Sequence, residues 1–229
     1  MNHSDASGKN QLLAHILPML TFVLLLGLGD LVKTSDGSLW RAAPEFWVYP
    51  LQTLVCGTML IFFWRDYNFQ VLRRPFFVTA IALGVFVLWI TPQQFLHFNA
   101  RLVGFNPNAL TAQPALYWLT LVLRFLRLVI VVPLVEEIFW RSFLLRYLIS
   151  EKFDAVPFGA FSWLSFTVVA FAFAFSHSTA DWPAALIGGA LYNLVAYRTR
   201  SFVSCVAAHS LTNLALGLWI TATGQWGFW

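Results

Sequence analysis

Two adjacent carboxylates, Glu136 and Glu137, stand inside the apolar run Val132-Pro133-Leu134-Val135-Glu136-Glu137-Ile138-Phe139-Trp140-Arg141. Further on, Phe173-Ala174-Phe175-Ser176 leads into His177, and Ala208-His209-Ser210-Leu211-Thr212-Asn213 sets His209 and Asn213 one helical turn apart. Helical periodicity turns these spacings into geometry. Glu137 and Arg141 are four residues apart with the acid N-terminal, the favourable order for an ion pair on one helix face. Neighbouring residues on a helix point about 100° apart, so Glu136 faces away from that arginine. His209 and Asn213 share a face and can aim two side-chain donors at one point. A packing that brought Glu136, His177, His209 and Asn213 together would supply a base, a proton shuttle and two oxyanion donors. General acid–base catalysis and oxyanion stabilisation need such groups.

Each feature also has a plain structural reading. Glu137 and Arg141 can be an ion pair that only holds helices together. His177 can make a satisfied interhelical hydrogen bond, and His209 and Asn213 can act as polar glue between helices. The three motifs together carry more information than any one of them. His3, His15 and His97 lack polar company in the sequence and read as structural or interfacial. Asp30 and Asp181 fall near the ends of apolar runs and read as solvated.

The elements that must position these groups are membrane helices. Of the 229 residues, 59% are hydrophobic and 10% charged, whereas a soluble domain carries about 25% charged residues. The 23 Phe and 11 Trp suit packing against lipid and anchoring at headgroup level. A net charge of +4 in such a chain reports topology, and no basic run interleaved with aromatics points to nucleic acid as a partner. Cys56 and Cys205 each lie in an apolar stretch and read as small buried hydrophobes, neither a disulfide framework nor a metal site. The polar stretch Met1 to Asn10 lacks a basic region followed by a cleavage site, so the first apolar segment is expected to remain as a span.

Crossing a hydrocarbon core of about 30 Å takes about 20 apolar residues. Segments 12–32, 46–64, 75–91, 127–149, 157–176, 182–198 and 202–220 qualify. The run from Ala115 to Leu126 is apolar too, so the fourth span starts earlier or follows an interfacial helix or an eighth crossing, and Pro133 is a candidate kink. Thr91 to Pro114 reads as an interfacial loop. The expected architecture is an all-α bundle of seven or eight spans, one membrane domain over residues 1–229. With seven spans, Lys9, Arg65, Arg73, Arg74, Arg146, Lys152, Arg198 and Arg200 fall on the N-terminal side. Lys33, Arg41 and Arg101 fall opposite, joined by Arg124 and Arg127 if those precede the fourth span. The balance favours a cytoplasmic N-terminus. Charges at bilayer depth cost about 2.5–3.5 kcal/mol or more, so the few inside spans are paired or functional.

Taken in order, Glu136-Glu137-x-x-x-Arg141, Phe173-x-x-x-His177 and His209-x-x-x-Asn213 resemble the three motifs of the CPBP family. That family holds the type II CAAX prenyl endopeptidases and bacteriocin-processing relatives. The likeness covers about 127–215; within the family the chain is most similar to bacterial CAAX-protease-related proteins that accompany exosortase-type sorting systems. The resemblance implies that Glu136 activates a water for attack on a peptide carbonyl, assisted by His177. It implies that His209 and Asn213 stabilise the oxyanion, while Glu137 and Arg141, with Phe173 beside them, support the site. It favours a mechanism without metal, with zinc as the alternative because Glu and two His can ligate it. The implied partners are membrane lipid and a membrane-anchored or lipidated protein substrate. The implied location is the bacterial cytoplasmic membrane. Two other functions fit the residues: a proton-coupled transporter relaying protons through Glu136 and the histidines, or a catalytically silent member that binds a partner.

Overall fold

The computed structural model describes residues 3–35, 37–98, 101 and 104–229, with only the helical backbone for residues 3–9. Met1 and Asn2 of the polar leader, and the side chain of His3, lie outside that description. Among the described residues the chain is helical throughout and has no strand. Seven main helices run α1 (His3–Val32), α2 (Glu45–Phe62), α3 (Pro75–Gln94), α4 (Pro114–Tyr147), α5 (Trp163–Phe175), α6 (Trp182–Thr199) and α7 (Phe202–Thr223).

Helices α1, α2, α3, α4 and α7 are long and apolar enough to cross a membrane. Only 22% to 44% of the most apolar 18-residue stretch of each is buried, so each span keeps apolar side chains that the protein leaves partly or fully uncovered. Phe76, 91% exposed, and Phe62, 78% exposed, would be untenable in water at this density of apolar surface. The chain is an integral membrane helix bundle. The span expected at 157–176 is shorter, with α5 covering Trp163–Phe175, because Ser162 caps its first turn by accepting from the Ser165 amide. Similarly, Ser201 caps α7 and also donates to the Val71 carbonyl at 2.7 Å, tying α7 to the α2–α3 connection.

The fourth span begins at Pro114 and is one continuous helix of 34 residues, not two crossings. Proline at its first turn costs nothing there, since that N–H has no intrahelical partner. Pro133 is absorbed by a π-helical turn over Arg127–Val131, and a second π-helical stretch runs over Ile138–Leu144. Arg124 and Arg127 therefore lie inside the span and are buried. Arg127 donates from Nε to Gln52 Oε1 at 2.9 Å and lies over Tyr49, while Arg124 lies over Tyr49 at 4.3 Å. His15 also has polar company. Its Nδ1 donates to the Gln11 carbonyl at 2.8 Å, and Ser142 Oγ meets its Nε2 at 3.2 Å, joining α1 to α4.

Helices α5 and α6 pack closely because Gly189 has no side chain. A Cβ there would stand 3.0 Å from Phe173 Cδ1 and 3.4 Å from the Ala170 carbonyl oxygen. This approach brings the Phe173–His177 end of α5 against the face of α6 that carries Tyr192 and Asn193. On the other flank, Thr212 of α7 donates to the Ala82 carbonyl of α3 at 3.0 Å.

Candidate active site

Glu136, His177, His209 and Asn213 all line one cavity of about 180 Å³. Glu136 comes from the α-helical turn Val132–Glu137 between the two π-helical stretches of α4. It is 8% exposed, and its Oε2 has no hydrogen-bond partner. A buried carboxylate oxygen without a donor needs one, and a water or substrate group in the cavity can supply it. His177 sits just past the end of α5. Its Nδ1 donates to the Phe173 carbonyl at 2.7 Å, and its ring lies 4.7 Å from Phe173 and 5.4 Å from Trp89. That bond fixes the tautomer and leaves Nε2 free to accept a proton.

The expected pair of Glu137 and Arg141 is present, with Arg141 Nη1 to Glu137 Oε1 at 3.0 Å. The same oxygen also accepts from His209 Nδ1 at 2.8 Å, a contact 72 residues apart in sequence. Arg141 spends its other donors on Asn193 Oδ1 at 3.3 Å and the Gly189 carbonyl at 3.2 Å. Its guanidinium lies 4.8 Å from the Phe173 ring centre. Glu137 and Arg141 are 0% and 1% exposed. Glu137 thus carries the orientation of His209, whose ring also stacks on Tyr192 at 5.0 Å. With Nδ1–H committed to Glu137, His209 can donate to an oxyanion only through a protonated Nε2, as an imidazolium. A neutral His209 would instead accept there.

Asn213 donates from Nδ2 to the Leu128 carbonyl at 2.9 Å. The local backbone explains why that carbonyl is free. The Val132 amide bonds five residues back to Arg127. In this π-helical register Leu128 would be served by residue 133, which is proline and has no N–H. One amide proton of Asn213 therefore repairs the helix, and the second remains for the cavity. The two donors expected to converge are each half committed to the scaffold. Asn213→Ala is expected to leave the Leu128 carbonyl unpaired, costing about 1–3 kcal/mol of stability. If the second proton also serves an oxyanion, turnover falls about 10²–10³-fold. Thermal midpoint and single-turnover rate of the same preparation separate the two losses.

Asp181 is not merely solvated. It lines the same cavity and pairs with Arg101 at 2.6 Å, the two side chains being 15% and 14% exposed. Tyr192, Asn193 and Gly189 lie outside the three motifs, although Asn193, 0% exposed within an apolar run, is a polar residue of the kind that signals a network. As for zinc, no group of three His, Cys, Asp or Glu side chains among the described residues is placed to hold a metal ion. Ligation would require these side chains to rearrange.

The fold and site define a membrane-embedded protein with a buried carboxylate–histidine cavity. Residues 117–215 match the family model of the type II CAAX prenyl endopeptidases, Rce1-like. The match spans all three motifs and every residue lining the cavity except Trp89, Leu216 and Phe228. No curated protein and no solved structure matches the chain.

Proposed function

We propose that the protein is an intramembrane endopeptidase that hydrolyses a peptide bond of a membrane-anchored or lipidated protein in a bacterial cytoplasmic membrane. The observation that carries this reading is the shared cavity of Glu136, His177, His209 and Asn213. Glu136, with its unpartnered Oε2, takes a proton from a water as that water attacks the carbonyl carbon. His177 Nε2 relays the proton toward the leaving amine. The developing oxyanion lies against His209 and the second amide proton of Asn213. In a dry cavity such donors are worth far more than in water. Glu137, Arg141 and Asn193 hold His209 in register and do not touch the substrate. A proton relay for transport would use the same acid and histidines, but Asn213 has no proton to pass on and its place beside them favours hydrolysis.

The mechanism is proposed to run without metal. Purified protein in proteoliposomes, given a pool of lipidated peptides, is expected to release fragments at one bond and to keep doing so after prolonged incubation with 1,10-phenanthroline. Zinc catalysis would need a bound ion to lower the pKa of its water toward about 7. Near one zinc per chain by elemental analysis, with activity lost on its removal and restored on its addition, would overturn the metal-free reading.

A further inference from the structure

We infer that the cavity is entered from the non-cytoplasmic face, so that the substrate is a segment presented at or anchored in the outer leaflet. The inference rests on the proposed peptidase function for its substrate but not for its geometry. The seven helices alternate in direction, and contacts between their ends fix which ends lie together. Arg73 of the α2–α3 connection bonds Ser204 at the start of α7, and Gln11 of α1 reaches Asp66. At the opposite end, Gln94 of α3 meets Gln225 past α7, and Arg101 meets the Ala180 carbonyl between α5 and α6.

The cavity belongs to that second end. His177, Asp181 and Phe228, the lining residues outside the main helices, all lie there, and Trp89 is in the last turns of α3. The Arg101–Asp181 pair and the Arg101 guanidinium, 4.2 Å from the Phe228 ring, sit at its rim. Towards the first end the cavity is closed by Glu137, Arg141, Tyr192 and Phe173, each at most 2% exposed.

Charge separates the two ends. The connections and adjoining helix ends at the closed side carry Arg65, Arg73, Arg74, Lys152, Arg198 and Arg200. Those at the open side carry Lys33, Arg41 and Arg101, and Lys33 and Arg101 are both held by carboxylates. Short loops rich in Lys and Arg stay in the cytoplasm. The closed end therefore faces the cytoplasm, and the mouth faces away from it.

The test is cysteine accessibility in intact cells, which reads topology whether or not the protein cleaves anything. Ala180→Cys and Ala222→Cys place thiols at exposed positions of the open end, Glu151→Cys and Lys152→Cys at exposed positions of the closed end. The native Cys56 and Cys205 are both buried and serve as the unlabelled background. With a membrane-impermeant maleimide, the open-end variants are expected to label equally before and after permeabilisation, the closed-end variants only after it. The reverse pattern, or labelling of both ends in intact cells, would overturn the inference. Two sites per end keep the result readable if one variant fails to accumulate. Failure of the peptidase reading would show separately, as no cleavage by a protein whose mouth still labels from outside.

Discussion

Glu136→Gln is expected to reduce peptide hydrolysis by about 10²–10⁴-fold, the range lost with a general base, while the protein accumulates and melts like the wild type. The substitution keeps shape and hydrogen-bonding capacity but removes the lone pair that takes the proton. Stability is expected to hold because Glu136 Oε2 has no partner to lose, unlike its neighbour Glu137. The check is a single-turnover assay beside a thermal melt of the same preparation. A variant that still turns over would move the base to His209, whose Nδ1–H is already oriented by Glu137, the arrangement by which a carboxylate steers a catalytic imidazole. Wild-type activity with a lowered yield would exchange the roles assigned to the two carboxylates.

Arg141→Ala is expected to act the other way, on the fold before the chemistry. It removes three hydrogen bonds at once, to Glu137, Asn193 and the Gly189 carbonyl. Glu137 would keep only His209, in a position that is 0% exposed. Breaking a buried ion pair by deleting one partner costs about 3–5 kcal/mol. Most of the protein should therefore be lost from the membrane fraction or unfold early in detergent. Arg141→Lys should recover part of the stability, since an ammonium can reach Glu137 but cannot span all three acceptors. Near-normal yield of Arg141→Ala would show that Glu137 is protonated or otherwise satisfied, and that the network is not what holds α4 to α6.

The sequence made the helices legible because their signal is local. Runs of apolar residues announce themselves, and α2, α3, α6 and α7 fall within a few residues of the expected bounds, although α6 is not among the five helices long and apolar enough to cross a membrane. The four candidate residues were legible for a similar reason: each is a polar group standing where lipid or apolar packing surrounds it. What joins them was not. The bond from His209 to Glu137 spans 72 residues, and no periodicity links them. The use of Asn213 on the Leu128 carbonyl depends on a π-helical turn ahead of Pro133, and a proline alone does not distinguish that turn from a kink. Asp181 reads in the sequence as an ordinary span-end acid because its partner, Arg101, lies in a different connection. Whether Arg124 and Arg127 precede the fourth span or lie inside it is open in the sequence, because cationic heads buried against Tyr49 and Gln52 are visible only once α2 and α4 are packed together.

The central claim, that this cavity cuts peptide bonds with Glu136 as its base, is tested most directly by mapping protein termini in membranes from three strains: wild type, deletion, and deletion carrying Glu136→Gln at wild-type abundance. The account predicts a small set of new termini, on membrane-anchored or lipidated proteins, present in the wild type and missing from both other strains. The same termini in all three strains, or their restoration by Glu136→Gln, would contradict it.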